Sequence, residues 1–178
     1  MKKEKSKRIV IDASIARAAG VKTEYSRMCR DLLEKIKQIC HKVQITYPIN
    51  QEWVKHNSNF ARNWLAQMKG KKKFHFIDVP EKDELGELIE KAEFTVNEQK
   101  AMLKDTCLIN GAMLSDKIIF SLDEQARLPF SKLAVNQDDM KDMIWINPTK
   151  MEYEAILEWL NGGAEYREDF SLGYNKEK

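Results

Sequence analysis

Four carboxylates carry the chemistry in this chain. Asp12 closes the β-branched run Ile9-Val10-Ile11 and is followed by the small residues Ala13-Ser14, and Asp123 closes a second apolar run, Ile118-Ile119-Phe120-Ser121-Leu122. Glu52 follows a third apolar run, in the first turn of a helix that Pro48 opens. Asp105 falls inside an apolar helical stripe made by Ala101, Met102, Leu108, Ile109 and Ala112. Residues three and four apart share a helix face, so the periodicity buries this carboxylate. Burial of a charge is costly unless it is paired, hydrogen-bonded or bound to a cation. Carboxylates that converge without a basic partner repel one another unless a divalent cation sits between them. Oxygen-only ligation suits Mg²⁺ or Mn²⁺, and such ions activate water and stabilise the charge that develops in phosphodiester hydrolysis. Taken singly, the acids have plainer roles: Asp12 and Asp123 suit turns and helix caps, and Glu52 suits a helix dipole.

Composition bounds what can position these residues. The chain has 178 residues and 20.8 kDa, enough for one domain with its own core, and only 7 Gly and 4 Pro supply the turns an all-β fold would need. A formal charge of +2 and a pI near 8.3 exclude a polycationic protein, so any affinity for polyanions must come from local patches. Cys29, Cys40 and Cys107 form no C-x-x-C pair and each lies in an apolar helical pattern, which predicts buried, reduced thiols in a cytoplasmic protein. His41, His56 and His75 share no metal-ligand spacing, so a zinc enzyme is not expected. Asp12 interrupts the apolar run too early for a signal peptide, and no window reaches the length of a membrane span.

The order of elements predicts an α/β protein, a three-layer α/β/α sandwich with a mainly parallel central sheet. Strands are expected at 8–12, 43–47, 74–79, 117–123 and 143–146. One helix is expected over about 25–40, and a single helix runs from Pro48 to a stop at Gly70, with Trp53 and Trp64 in its core stripe. An acidic helix carries Leu85, Leu88 and Ile89, and another spans about 96–114. A short helix around 124–133 precedes the last strand, and Thr149-x-x-Glu152 reads as a capping box for a final helix. The segments are a basic N-terminal extension (1–7), a core domain (8–148), an appended helix (149–163) and a polar tail (164–178) that frays or docks by Tyr166, Phe170 and Tyr174.

In order and spacing, these elements and acids resemble the PIN-domain nucleases over about residues 8–147. The resemblance implies a PIN-like fold and an acidic site of Asp12, Glu52, Asp105 and Asp123 that holds Mg²⁺ or Mn²⁺ as cofactor. Ser121 matches the Ser/Thr two places before the last acid, Ser14 fits the small polar residue after the first, and Asp116 is the nearest substitute for a fourth ligand. The implied activity is a metal-dependent nuclease, an endoribonuclease on RNA; the alternative is a catalytically inactive PIN-like scaffold that binds a protein or RNA partner. Many members of that family are toxins held by an antitoxin, so the partners to consider are RNA, a protein inhibitor or a second copy in a homodimer, with no membrane. Lys69, Lys71, Lys72, Lys73 and Arg62 form a basic patch that would receive a phosphate backbone, or serve as a solvated surface. A haloacid-dehalogenase-type phosphatase lacks support because Asp12-Ala13-Ser14 is not D-x-D, and no Gly-rich phosphate loop follows the first strand.

Overall fold

In the computed structural model, residues 6–56, 58–79 and 84–174 are described; most of the basic N-terminal extension, residues 80–83 at the start of the acidic stretch, and the end of the tail lie outside them. The strands are β1 (Arg8–Ile11), β2 (Lys42–Thr46), β3 (Phe74–Ile77), β4 (Ile118–Phe120) and β5 (Ile144–Ile146). They form one sheet of order β3-β2-β1-β4-β5 in which every pairing is parallel. All five carboxyl ends therefore lie at one edge.

The helices are α1 (Ala13–Ala18), α2 (Glu24–Gln38), α3 (Tyr47–His56), α4 (Asn59–Gly70), α5 (Glu84–Lys91), α6 (Val96–Met113), α7 (Glu124–Ala134), α8 (Asp138–Lys141) and α9 (Tyr153–Asn161). Crossovers between parallel strands are right-handed. Moving from β1 to β2 to β3 therefore puts α2 and α4 on one face, and returning from β3 to β4 and β5 puts α6 and α7 on the other. The packing agrees: α2 contacts α4 and α9, while α6 contacts β1, β2, β4 and α7. With both faces covered, β4 and β1 from Ile9 onward are apolar, and Ile9, Val10, Ile11, Ile119 and Phe120 are fully buried, while β2 also buries the polar Gln44 and Thr46.

Three local expectations are corrected. The helix after Pro48 is two helices, because Ser58 caps α4 by accepting a hydrogen bond from the Ala61 N–H at 3.1 Å. Since α3 begins at Tyr47, Glu52 lies beyond its first turn. The capping box is at Thr95 and Glu98, which start α6, and not at Thr149 and Glu152. Thr149 is captured instead by Asn147, whose Oδ1 accepts from the Thr149 hydroxyl at 2.8 Å and its N–H at 3.0 Å. The short helices α1 and α8 have too few residues to show a periodicity.

Of the cysteines, Cys29 is buried whereas Cys40 and Cys107 are half-buried, and all three are free. Trp53 and Trp64 are core, stacked at 5.8 Å. The tail docks through Phe170, which meets Trp159 edge-on at 5.5 Å, and Leu172, while Tyr166 and Tyr174 stay exposed. Gly173 lies so close to the Lys141 carbonyl that an added Cβ would sit 2.7 Å from its oxygen. Among the described residues, no helix is long and apolar enough to cross a membrane.

Candidate active site

The strand order reverses at β1, which has β2 on one side and β4 on the other. In open α/β sheets, ligands bind in the crevice that such a reversal leaves beyond the carboxyl ends of the strands. Asp12 is the first residue after β1, and Asp123 follows β4 as the cap of α7. Both line a cleft of about 900 Å³ together with Glu52 from α3 and Asp105 from α6. The four acids singled out by type and spacing thus meet in one cavity.

Each acid is held by a different local device. The Asp12 backbone is fixed by its own N–H, which donates to the Phe120 carbonyl at 2.9 Å, and by the Trp53 indole, which donates to the Ile11 carbonyl at 2.8 Å. Although Asp12 occupies the cap position of α1, its side chain makes no cap bond. Its Oδ2 instead accepts from both the Ser14 and Ser121 hydroxyls, the latter at 2.9 Å. Those hydroxyls also accept the N–H groups of Leu122 and Asp123, each at 3.1 Å. Two serines therefore weld the loop after β4 to the carboxylate after β1.

Asp123 divides its oxygens: Oδ1 caps α7 by accepting from the Ala126 N–H at 3.1 Å, and Oδ2 lies 3.5 Å from the Lys104 ammonium. Glu52 is about half exposed and pairs with His56 Nε2 at 3.3 Å. Asp105 is 5% exposed, as its place in the apolar stripe requires. Gly111 lets α6 approach this closely, since a Cβ there would stand 3.2 Å from Thr46 Cγ2. Three described side-chain atoms are buried without a partner, Thr46 Oγ1, Trp145 Nε1 and Asp105 Oδ2, and only the last belongs to an ionisable group. Burial, and next the Asp12 charge, push the Asp105 carboxyl up to about 7, while Lys104 opposes them. The neighbouring Cys107 thiol is pushed up to about 12, again first by burial, which disfavours its thiolate.

No protein-family model, curated protein or solved structure matches the chain.

Whether these residues suit a divalent cation is decided by donor chemistry and spacing. The donors are carboxylate oxygens, one of them buried and unpartnered, which is what a hard cation takes. As they stand, no group of three or more described His, Cys, Asp or Glu side chains is arranged to hold an ion. The intervening charge is Lys104, whose ammonium lies 3.9 Å from Asp105 Oδ1 as well as 3.5 Å from Asp123. The donor set fits; closing it requires the carboxylates to draw together where the ammonium now reaches.

Other residues fall elsewhere. Asp116 lies at the opposite edge, where it accepts from the Arg8 N–H at 2.8 Å at the start of β1, so it is not a member of the acidic group. Lys71, Lys72 and Lys73 lead into β3 and so occupy that same far edge; Lys73 donates to the Lys37 and Ile39 carbonyls at the carboxyl end of α2, and Lys69 lies over the Phe74 ring. Arg62 is on α4 and does not line the cleft. The cations that do line it are Arg17, Lys104 and Lys150, none singled out by the sequence. Among the described residues, Arg17 and Lys150 have no ion-pair partner. Asn147 is a further supporting residue, donating to the Leu122 carbonyl at 3.3 Å and to Glu124 Oε1 at 2.9 Å, which braces the loop bearing Asp123. Proximity of Lys104 to Asp105 in the chain was its only signal in the sequence.

Proposed function

We propose that the chain is a PIN-like, Mg²⁺- or Mn²⁺-dependent nuclease that hydrolyses phosphodiester bonds, and specifically an endoribonuclease. The observation that carries this reading is the buried Asp105 carboxylate, which has an unpartnered oxygen in a cleft shared with Asp12, Glu52 and Asp123 at the reversal point of the sheet. Asp12, Asp105 and Asp123 would hold the ion, with Glu52 as a fourth ligand or as the group that positions water. A divalent cation bound there would supply an activated water and stabilise charge on the phosphoryl oxygens.

The protein's own groups do the rest. Ser14 and Ser121 occupy Asp12 Oδ2 and orient that carboxylate, leaving Oδ1 for other partners. Glu52, about half exposed at the cleft wall and 3.3 Å from His56 Nε2, would accept a proton from the attacking water. Arg17 and Lys150 line the cleft without an ion-pair partner among the described residues and would receive the phosphates flanking the scissile bond. Three free thiols support a reducing, cytoplasmic setting.

The test is cleavage of labelled single-stranded RNA by purified protein with Mg²⁺, with Mn²⁺ and with chelator, alongside Asp105→Asn and Asp12→Asn. Metal-dependent cleavage by the parent and at least about a hundredfold loss in each variant are expected, since both carry ligand charge. Binding of RNA or protein without cleavage under any metal would leave the scaffold reading in its place.

A further inference from the structure

We propose that Lys104 is the resident cation of the acidic cleft, which a divalent ion must displace, so that this side chain sets how tightly the site takes metal. The inference rests on the metal-dependent reading above and concerns a residue that reading does not require.

The ammonium is shared between acids from two elements, lying 3.5 Å from Asp123 Oδ2 at the cap of α7 and 3.9 Å from Asp105 Oδ1 on α6. At 3.9 Å the contact with Asp105 is not a hydrogen bond, so Lys104 offsets the mutual repulsion of the carboxylates without meeting the hydrogen-bonding need of Asp105. Asp105 Oδ2 accordingly remains without a partner. A divalent ion brings two charges into the space that this one charge now covers, and the two cations repel at such range. They cannot share the cleft unless Lys104 withdraws.

Withdrawal is available. The Lys104 side chain is 70% exposed on a flexible stem, and exposed ion pairs contribute little. A second groove, between α6 and α7, is lined by Lys104 along with Ala101, Leu128 and Pro129, and gives its methylenes an apolar wall to lie on. Lys104 thus offsets part of the acids' repulsion in the metal-free cleft and competes with the ion for the same oxygens, and a competitor tethered in the site raises the apparent dissociation constant.

Calorimetric titration of Mn²⁺ into the metal-stripped full chain tests this, with Lys104→Met and Lys104→Arg beside the parent and melting curves in chelator on the same samples. Lys104→Met should bind Mn²⁺ about tenfold more tightly, as loss of one nearby exposed positive charge allows. It should melt only slightly below the parent in chelator, because the cation the acids lose is nearby but largely exposed. Lys104→Arg retains the charge and should stay within about twofold of the parent affinity. An unchanged or weakened Mn²⁺ affinity in Lys104→Met overturns the proposal, as does an equal gain in Lys104→Arg. If the parent and both variants bind no Mn²⁺, the metal-dependent reading itself fails and takes this one with it.

Discussion

The Ser121 hydroxyl donates to Asp12 Oδ2 at 2.9 Å, joining the loop after β4 to the residue after β1 across the point where the sheet reverses. The two residues are 109 positions apart in the chain. The same hydroxyl accepts the Asp123 N–H, so one side chain sets the spacing of two acids.

Ser121→Ala should therefore act on chemistry as well as on stability. Residues that orient metal ligands typically change activity by about 10–100-fold when removed, while the two hydrogen bonds lost, one to a carboxylate and one from a backbone N–H, cost about 2–4 kcal/mol. Cleavage rates at saturating Mn²⁺ set against denaturant midpoints will separate the two effects. A loss of stability with full activity per folded molecule would make Ser121 structural only.

Asp105 makes the metal-free protein less stable as pH rises. Its folded value, about 7, lies above the ordinary value of 3.8, so the folded state holds a proton that the unfolded chain has released between those limits. That contribution is complete below about pH 4 and lost as pH climbs through 7. At about 1.4 kcal/mol per pH unit, the cost at pH 8 has a ceiling of about 4 kcal/mol. Asp105→Asn removes the charge but adds an amide that needs partners, so in chelator at pH 8 it should be more stable by about 1–3 kcal/mol. The difference should shrink towards pH 4, as urea melts at several pH values will show.

His41 works in the opposite sense. It is fully buried, its Nδ1 accepts the Lys7 N–H at 3.1 Å, and its Nε2 lies 3.0 Å from the Leu160 carbonyl, so the ring is neutral with its proton on Nε2. Burial, the largest cause, holds its pKa below the ordinary 6.5. The unfolded chain takes up a proton at higher pH than the folded one, so this contribution is complete above about pH 6.5 and lost as pH falls below it. His41→Gln should cost about 1–3 kcal/mol at pH 8 and flatten the pH dependence of stability between 5 and 7 relative to the parent. An unchanged slope would show that His41 titrates alike in both states.

The cleft cations predict a redistribution of RNA affinity. With Asp105→Asn as the non-cleaving background, Arg17→Ala and Lys150→Ala should each weaken RNA binding and lower the salt slope by about 0.7, the value for one phosphate contact on a single strand. A Lys71→Ala, Lys72→Ala double variant at the far edge should leave both unchanged. Fluorescence anisotropy across salt concentrations distinguishes these outcomes, and a larger effect from the lysine loop would place the RNA elsewhere.

Local pattern in the sequence determined the class of fold and the four acids. Apolar runs without alternation meant strands covered on both faces, and the phase of Met102, Leu108 and Ile109 was enough to bury Asp105, because helical periodicity is a property of neighbours along the chain. The break between α3 and α4 and the capping box at Thr95 and Glu98 carried sequence signals too, in Ser58 and in a second T-x-x-E, while the capture of Thr149 by Asn147, which takes the place of the expected second box, is a local contact the motif does not encode. Only the tertiary structure decided which edge each loop occupies. Asp116 and the Lys71–Lys73 run are chemically as suitable as Asp123 and Arg17, yet strand direction sends them to the opposite side. The position of Lys104 between two acids depends on how α6 packs against α7 and on a flexible side chain, and no spacing rule encodes either.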